Sequence, residues 1–128
     1  MQSNNSYTIL IVEDDTDMGY ALIQMLHAAD FKTLAAADGE EGLSLALANH
    51  PNAILLDLKL PKMNGKTVLS KLREDEWGKH VPVIVLTNED DTKTIAETLK
   101  HSAQEYFIKA DTDLSTIVDS LRDLLAKQ

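Results

Sequence analysis

Short apolar runs alternate with segments of helical period along the whole chain, and this alternation narrows the possible folds more than any other feature. The runs are "TILIV" (8–12), "TLAAA" (33–37), "AILLDL" (53–58), "VPVIVLT" (81–87) and "EYFI" (105–108). Between them apolar residues recur at i, i+3 and i+4. Met18, Ala21, Leu22, Met25 and Leu26 predict a helix from Thr16 or Asp17, and Leu43, Ala46 and Leu47 predict a second after "DGEEG". Val68, Leu69 and Leu72 carry a weaker third. Ile95, Ala96 and Leu99 carry a fourth, and the fifth runs from Leu114 to Leu125. Five strands alternating with five helices at 20- to 30-residue spacing argue for βαβ units, hence a parallel sheet with helices on both faces and right-handed crossovers. The first, third and fourth runs are nearly continuous in Val, Ile and Leu, as central strands covered on both sides must be; "TLAAA" is less bulky and reads as an edge.

Length and charge bound the rest. A chain of 128 residues suits one domain, here 1–128 with its core over about 7–127, and buries enough surface to fold without metal or disulfide staples. With no cysteine there is no disulfide framework or thiolate site. The opening "MQSNNS" is polar, and no apolar run reaches the roughly 18 residues of a membrane span, so the expectation is a cytoplasmic protein without membrane contact. A formal net charge of −9 opposes the phosphate contacts that dominate nucleic-acid affinity, which argues against direct DNA binding.

Open α/β sheets bind ligands at the carboxyl ends of their strands. By that rule Glu13, Asp14 and Asp15, then Asp57, then Thr87 and Asn88, then Lys109 gather on one edge. Carboxylates brought this close repel one another unless a cation compensates. Oxygen ligands without Cys or a neighbouring His favour a hard ion, and few carboxylates with a phosphate suit Mg2+. Asp57, the lone acid ending its strand, faces the others and is the candidate nucleophile, forming an acyl phosphate. Lys109 is placed to pair with the transferred group's charge, and Thr87 to donate a hydrogen bond to it. Asp15 is the acid of the three best suited to capping the first helix. Gly39 and Gly42 read as turn and helix-start residues, and the four dispersed histidines and Trp77 carry no site signal.

Together, "ILIVEDD", "ILLDLKLPKMNG", "VPVIVLT" and "YFIK" resemble the receiver domain of two-component response regulators, in order and spacing, over about residues 7–127. The likeness is to chemotaxis-regulator-like receivers that stand alone or are isolated from a longer protein. It implies a flavodoxin-like fold, strand order 2-1-3-4-5, with five helices. It implies Asp57 as phospho-acceptor, Glu13 and Asp14 as the acidic pair for Mg2+, and the Lys59 backbone carbonyl as a further ligand. It also implies Thr87 as the switch hydroxyl, Tyr106 as the aromatic that follows it, Lys109 as the phosphoryl-contacting lysine, and Pro61 and Gly65 in the turn after the phosphorylated strand. Two positions depart from the pattern. Ala110 stands where a proline usually follows the lysine, which predicts a trans bond and a rearranged loop, since a non-proline cis bond costs about 2.5 to 4 kcal/mol. Asn88, bulkier than the usual Ala or Ser, bears on access and dephosphorylation rate. Lys59 and Glu89, flanking the mouth, are with Asn88 the candidates for tuning that rate.

The function implied is a signalling switch that catalyses only its own phosphorylation and dephosphorylation. Its donor is a sensor histidine kinase or histidine phosphotransfer protein. Its output is a downstream protein target or a missing effector domain, with a homodimer on activation left open. The alternative is a non-phosphorylated receiver-like protein-binding module. A small hydrolase using Asp57 fits less well, because Lys59 occupies the position where a D-x-D pattern needs its second acid.

Overall fold

The computed structural model describes residues 7–88 and 102–127. Five strands, β1 (Thr8–Val12), β2 (Lys32–Ala36), β3 (Ala53–Asp57), β4 (Val83–Thr87) and β5 (Glu105–Ile108), form one parallel sheet in the order β2-β1-β3-β4-β5. Four α-helices lie among the described residues: α1 (Thr16–Ala28), α2 (Gly39–Asn49), α3 (Gly65–Glu74) and α4 (Leu114–Ala126). The helix expected around Ile95, Ala96 and Leu99 falls outside the described residues. The order and parallel sense make the fold flavodoxin-like, as expected. The second strand begins and ends one residue earlier than its apolar run suggested, and it lies at an edge.

The continuous apolar strands follow from burial on both sides. Alternate residues of a strand point to opposite faces. Leu10, Val12, Ile54, Leu56, Val83 and Val85 pack with Ala46 of α2 and Leu69 and Leu72 of α3. Ile9, Ile11, Leu55, Ile84 and Leu86 pack on the other face with Leu22 and Leu26 of α1 and Ile117 and Leu121 of α4. Each such side chain, fully buried, contributes about 1.5–3 kcal/mol.

Local signals set the helix starts that face the carboxyl edge. Asp15 Oδ1 accepts the Met18 N–H at 3.2 Å and caps α1. Asp38 Oδ1 accepts the Glu41 N–H at 2.8 Å and caps α2, while Glu41 Oε1 accepts the N–H of Ala37, just before the cap, at 3.0 Å. Asn64 Oδ1 caps α3 through the Thr67 N–H at 3.0 Å. Gly65 is needed for a steric reason: a Cβ there would come within 2.2 Å of the Asp57 carbonyl oxygen, and its N–H donates to Leu58 O at 2.8 Å. The start of α3 is thus seated directly on the end of β3.

After β5 the chain turns through a 3-10 segment, Lys109–Asp111, closed by the Thr112 hydroxyl donating to Ile108 O at 2.9 Å. No described residue has a cis peptide bond, so Lys109–Ala110 is trans as predicted.

Candidate functional site

Strand register alone brings the predicted side chains together. Val12 is paired with Leu56, Asp57 with Leu86, and Thr87 with Ile108, so each strand ends within a residue or two of its neighbour. Glu13, Asp57, Thr87 and Lys109 therefore emerge along one edge. Glu13 and Asp57 are buried, with 6% and 5% of their surface exposed, and Thr87 is fully buried, whereas Asp14 is exposed. Three adjacent acids in the sequence thus take three environments: Glu13 inside, Asp14 at the mouth, Asp15 as the helix cap.

Lys109 joins the two buried carboxylates. Its Nζ lies 2.9 Å from Asp57 Oδ2 and 2.5 Å from Glu13 Oε1. The second oxygens are held by backbone: Asp57 Oδ1 accepts the Lys59 N–H at 3.2 Å, and Glu13 Oε2 accepts the Asp15 N–H at 3.1 Å. Burial pushes the Glu13 carboxyl up to about 7. Lys109 and the Asp15 N–H oppose that rise, and the neighbouring Asp57 adds to it. For Lys109 burial works against the charged form, yet Glu13 and Asp57 together outweigh it and leave the ammonium raised above its ordinary value.

The acids fit a divalent cation. Glu13, Asp14 and Asp57 each offer an oxygen, all within 4.8 Å of one another. Glu13 Oε1, buried, has a close cation in Lys109 but no aligned hydrogen bond, so it keeps capacity for another positive partner. An all-oxygen set of this kind favours a hard ion.

A cavity of about 530 Å3 opens beside this cluster, lined by Asp14, Leu58, Lys59, Pro61, Asn64 and Lys66, among others. Lys59 and Asn88 are exposed. Glu89, expected to meet Lys59 across the mouth, lies outside the described residues. Tyr106 is half-buried against the apolar layer that α2 and α3 cover. Pro61 and Gly65 are in the turn after β3, and the Gly39 N–H donates to Pro61 O at 3.2 Å, tying the start of α2 to that turn. A Cβ at Gly39 would meet Met63 O at 1.7 Å, so glycine is required by this close approach. Sequence reading missed that contact, the Lys59 N–H as an orienting donor for Asp57, and the His50–Trp77 stack at 4.4 Å. None has a periodic or motif signature, because each joins segments set side by side only by the crossovers.

The family model of the response regulator receiver domain matches residues 9–122. The sensor histidine kinase TmoS of Ectopseudomonas mendocina is 35% identical over 101 residues, 79% of this chain and 10% of TmoS. Response regulator ArlR of Staphylococcus aureus is 31% identical over 120 residues, 94% of this chain and 53% of ArlR. The chain thus spans between a tenth and about half the length of these relatives. Among solved structures, a putative response regulator from Chloroflexus aurantiacus superposes with a TM-score of 0.85 at 29% identity, covering 94% of this chain and 98% of that one. The receiver domain of sensor histidine kinase PA1611 from Pseudomonas aeruginosa, which has a magnesium ion coordinated in its active site cleft, gives 0.84 at 25% identity, with the same coverage. With the family model spanning both layers and every strand of the sheet, this chain belongs to the response regulator receiver domain family.

Proposed function

We propose that this chain is a phosphorylation-operated switch that accepts a phosphoryl group from a phosphohistidine donor onto Asp57. The observation that carries the reading is the Asp57 carboxylate itself. It is buried at the end of a central strand, with one oxygen 3.2 Å from the Lys59 N–H and the other 2.9 Å from the Lys109 ammonium. Two donors orient it. In the transfer an Asp57 oxygen bonds to phosphorus, the phosphorus–nitrogen bond of the donor breaks, and its electron pair returns to the imidazole.

Glu13, Asp14 and Asp57, with the Lys59 backbone carbonyl, would hold Mg2+, which neutralises phosphoryl charge during such a transfer. Lys109 sits where the added charge arrives. In the free protein it is shared between Glu13 and Asp57, so a phosphoryl group changes the balance of its contacts. Thr87 at the end of β4 is the hydroxyl drawn toward the new oxygens, and Tyr106 on β5 buries as it moves. The surface around β5 and α4 is thereby reshaped. Such a switch needs a bias of only a few kcal/mol between two states.

On this reading the protein is no general enzyme: it catalyses only its own phosphorylation and dephosphorylation, in the cytoplasm. The donor is a sensor histidine kinase or histidine phosphotransfer protein, and the output is a protein target or an attached effector domain. The test is intact mass after incubation with Mg2+ and a small acyl phosphate. One phosphoryl group should be added, and it should be absent in Asp57→Asn and in EDTA. No adduct, with no response to fluoroberyllate either, would leave a non-phosphorylated protein-binding module as the better reading.

A further inference from the structure

A second cavity on the carboxyl edge borders the acidic cluster at Glu13 and Asp14 and extends away from Asp57 and Lys109. It has a volume of about 340 Å3 and opens between α1, the end of β2 and the start of α2, with Gly19, Tyr20, Ile23, Ala35, Ala37 and Glu41 in its lining. Tyr20 has 66% of its surface exposed, more than any other large hydrophobic side chain among the described residues. A large aromatic left in water beside an apolar hollow marks an interaction surface rather than ordinary exposure. The small residues give the hollow its depth: the nearest atom to a Cβ built at Gly19 is Glu13 Cγ, 3.9 Å away.

The rim selects the occupant. Residues 13–24 and 35–42 carry seven carboxylates and no Lys, Arg or His. Glu13 already has Lys109, and Asp38 has Lys62 at 3.7 Å. Asp14 belongs to the candidate metal cluster. Asp15, Asp17, Glu40 and Glu41 stay exposed, and among the described residues none of the four forms an ion pair. An apolar hollow inside an uncompensated acidic rim complements a cation-flanked apolar side chain and repels an acidic one.

We infer that this groove docks a basic amphipathic segment of a partner protein. An apolar side chain enters between Tyr20, Ile23 and Ala35, and Lys or Arg side chains on either side of it face Asp15 and Glu41. The contact does not depend on Asp57 accepting phosphate, so it stands apart from the switch chemistry.

The probe is a capped hexapeptide with a Leu-Phe pair between two arginines on each side, titrated into 15N-labelled protein at about physiological salt, where exposed charge alone is screened. Saturable shifts confined to residues 19–23, 35–37 and Glu41 are expected, and equally so in Asp57→Asn protein. Tyr20→Lys and Ala35→Lys should each weaken binding at least tenfold without moving the urea midpoint. The inference is overturned if a peptide with Ser-Ser in place of Leu-Phe binds equally well, if the shifts spread over the whole acidic surface, or if no binding saturates. Concentration-dependent shifts of the same residues without peptide would assign the groove to a second copy of the chain and overturn it as well.

Discussion

Two half-buried cations, Lys109 and Arg73, solve the same problem in opposite ways. Lys109, its side chain 12% exposed, meets two carboxylates. Arg73 on α3 meets only neutral oxygens among the described residues. Its Nε and Nη2 donate to Ser102 O at 2.8 and 2.5 Å, and its Nη1 donates to Gly78 O at 2.6 Å and Val81 O at 2.9 Å. Gln104 Oε1, 3.4 Å from Nη2, also accepts the Val83 N–H at 2.7 Å. Burial lowers the pKa of the Arg73 guanidinium, whereas the Lys109 ammonium is raised by its carboxylates despite burial. A cation satisfied by backbone carbonyls is insensitive to charge at the site and staples α3 to the turn before β4 and to the entry of β5. A cation held by carboxylates shifts whenever the charge of those carboxylates changes. The first suits a scaffold and the second suits a switch.

The comparison is broken most directly at Arg73. Arg73→Met leaves at least three carbonyls without their donor, and hydrogen bonds to charged groups contribute about 1.5–3 kcal/mol each without simple additivity. A loss of about 4 kcal/mol in urea unfolding is expected, nearly the same at pH 5.5 and pH 8. Arg73→Lys should recover only part of it, since one ammonium cannot reach oxygens on three sides. A loss under about 1 kcal/mol would mean that the network is incidental.

Lys109→Met should behave differently. Removing the ammonium leaves two buried carboxylates facing each other, at a cost of about 3 kcal/mol at pH 8. At pH 5.5 the cost should fall below about half of that, because a Glu13 carboxyl titrating near 7 is protonated there. Equal losses at the two pH values would erase the distinction from Arg73.

The smallest effect isolates Glu13 in metal-free buffer. A raised carboxyl pKa means that the folded state binds more protons than the unfolded one between pH 4.5 and about 7. Its contribution therefore favours folding on the acid side of that window and is lost as pH rises through it. Stability should decline steadily as pH rises through that window, and Glu13→Gln should flatten that part of the curve. An unchanged curve in the variant would place the titration elsewhere.

Much of the candidate site was legible beforehand because strand ends in a parallel sheet share one edge, so naming the strands named Glu13, Asp57, Thr87 and Lys109 together. The third helix, weak in its apolar pattern, proved well anchored: Val68, Leu69 and Leu72 are all buried. Arg73 was not legible, since its partners are backbone oxygens at Gly78, Val81 and Ser102, and any residue supplies a carbonyl. Nor was the division between Glu13 inside and Asp14 at the mouth, which depends on how the chain leaves β1 and enters α1. The groove beside Tyr20 was equally hidden, because it is formed by three elements distant in sequence.

By itself the sequence determined the alternation of strand and helix, the cap at Asp15, and the chemical types delivered to the sheet's edge. These rest on periods of two and 3.6 residues and on bonds spanning three or four residues, all local. Tertiary structure alone decided that Lys109 joins Glu13 to Asp57, 52 residues before it in the chain, that Arg73 reaches Ser102, and that an acidic rim closes around an apolar hollow. Those relations follow from strand register and crossover packing, where angstrom-scale distances between remote segments decide which charges are compensated and which stay open to a partner.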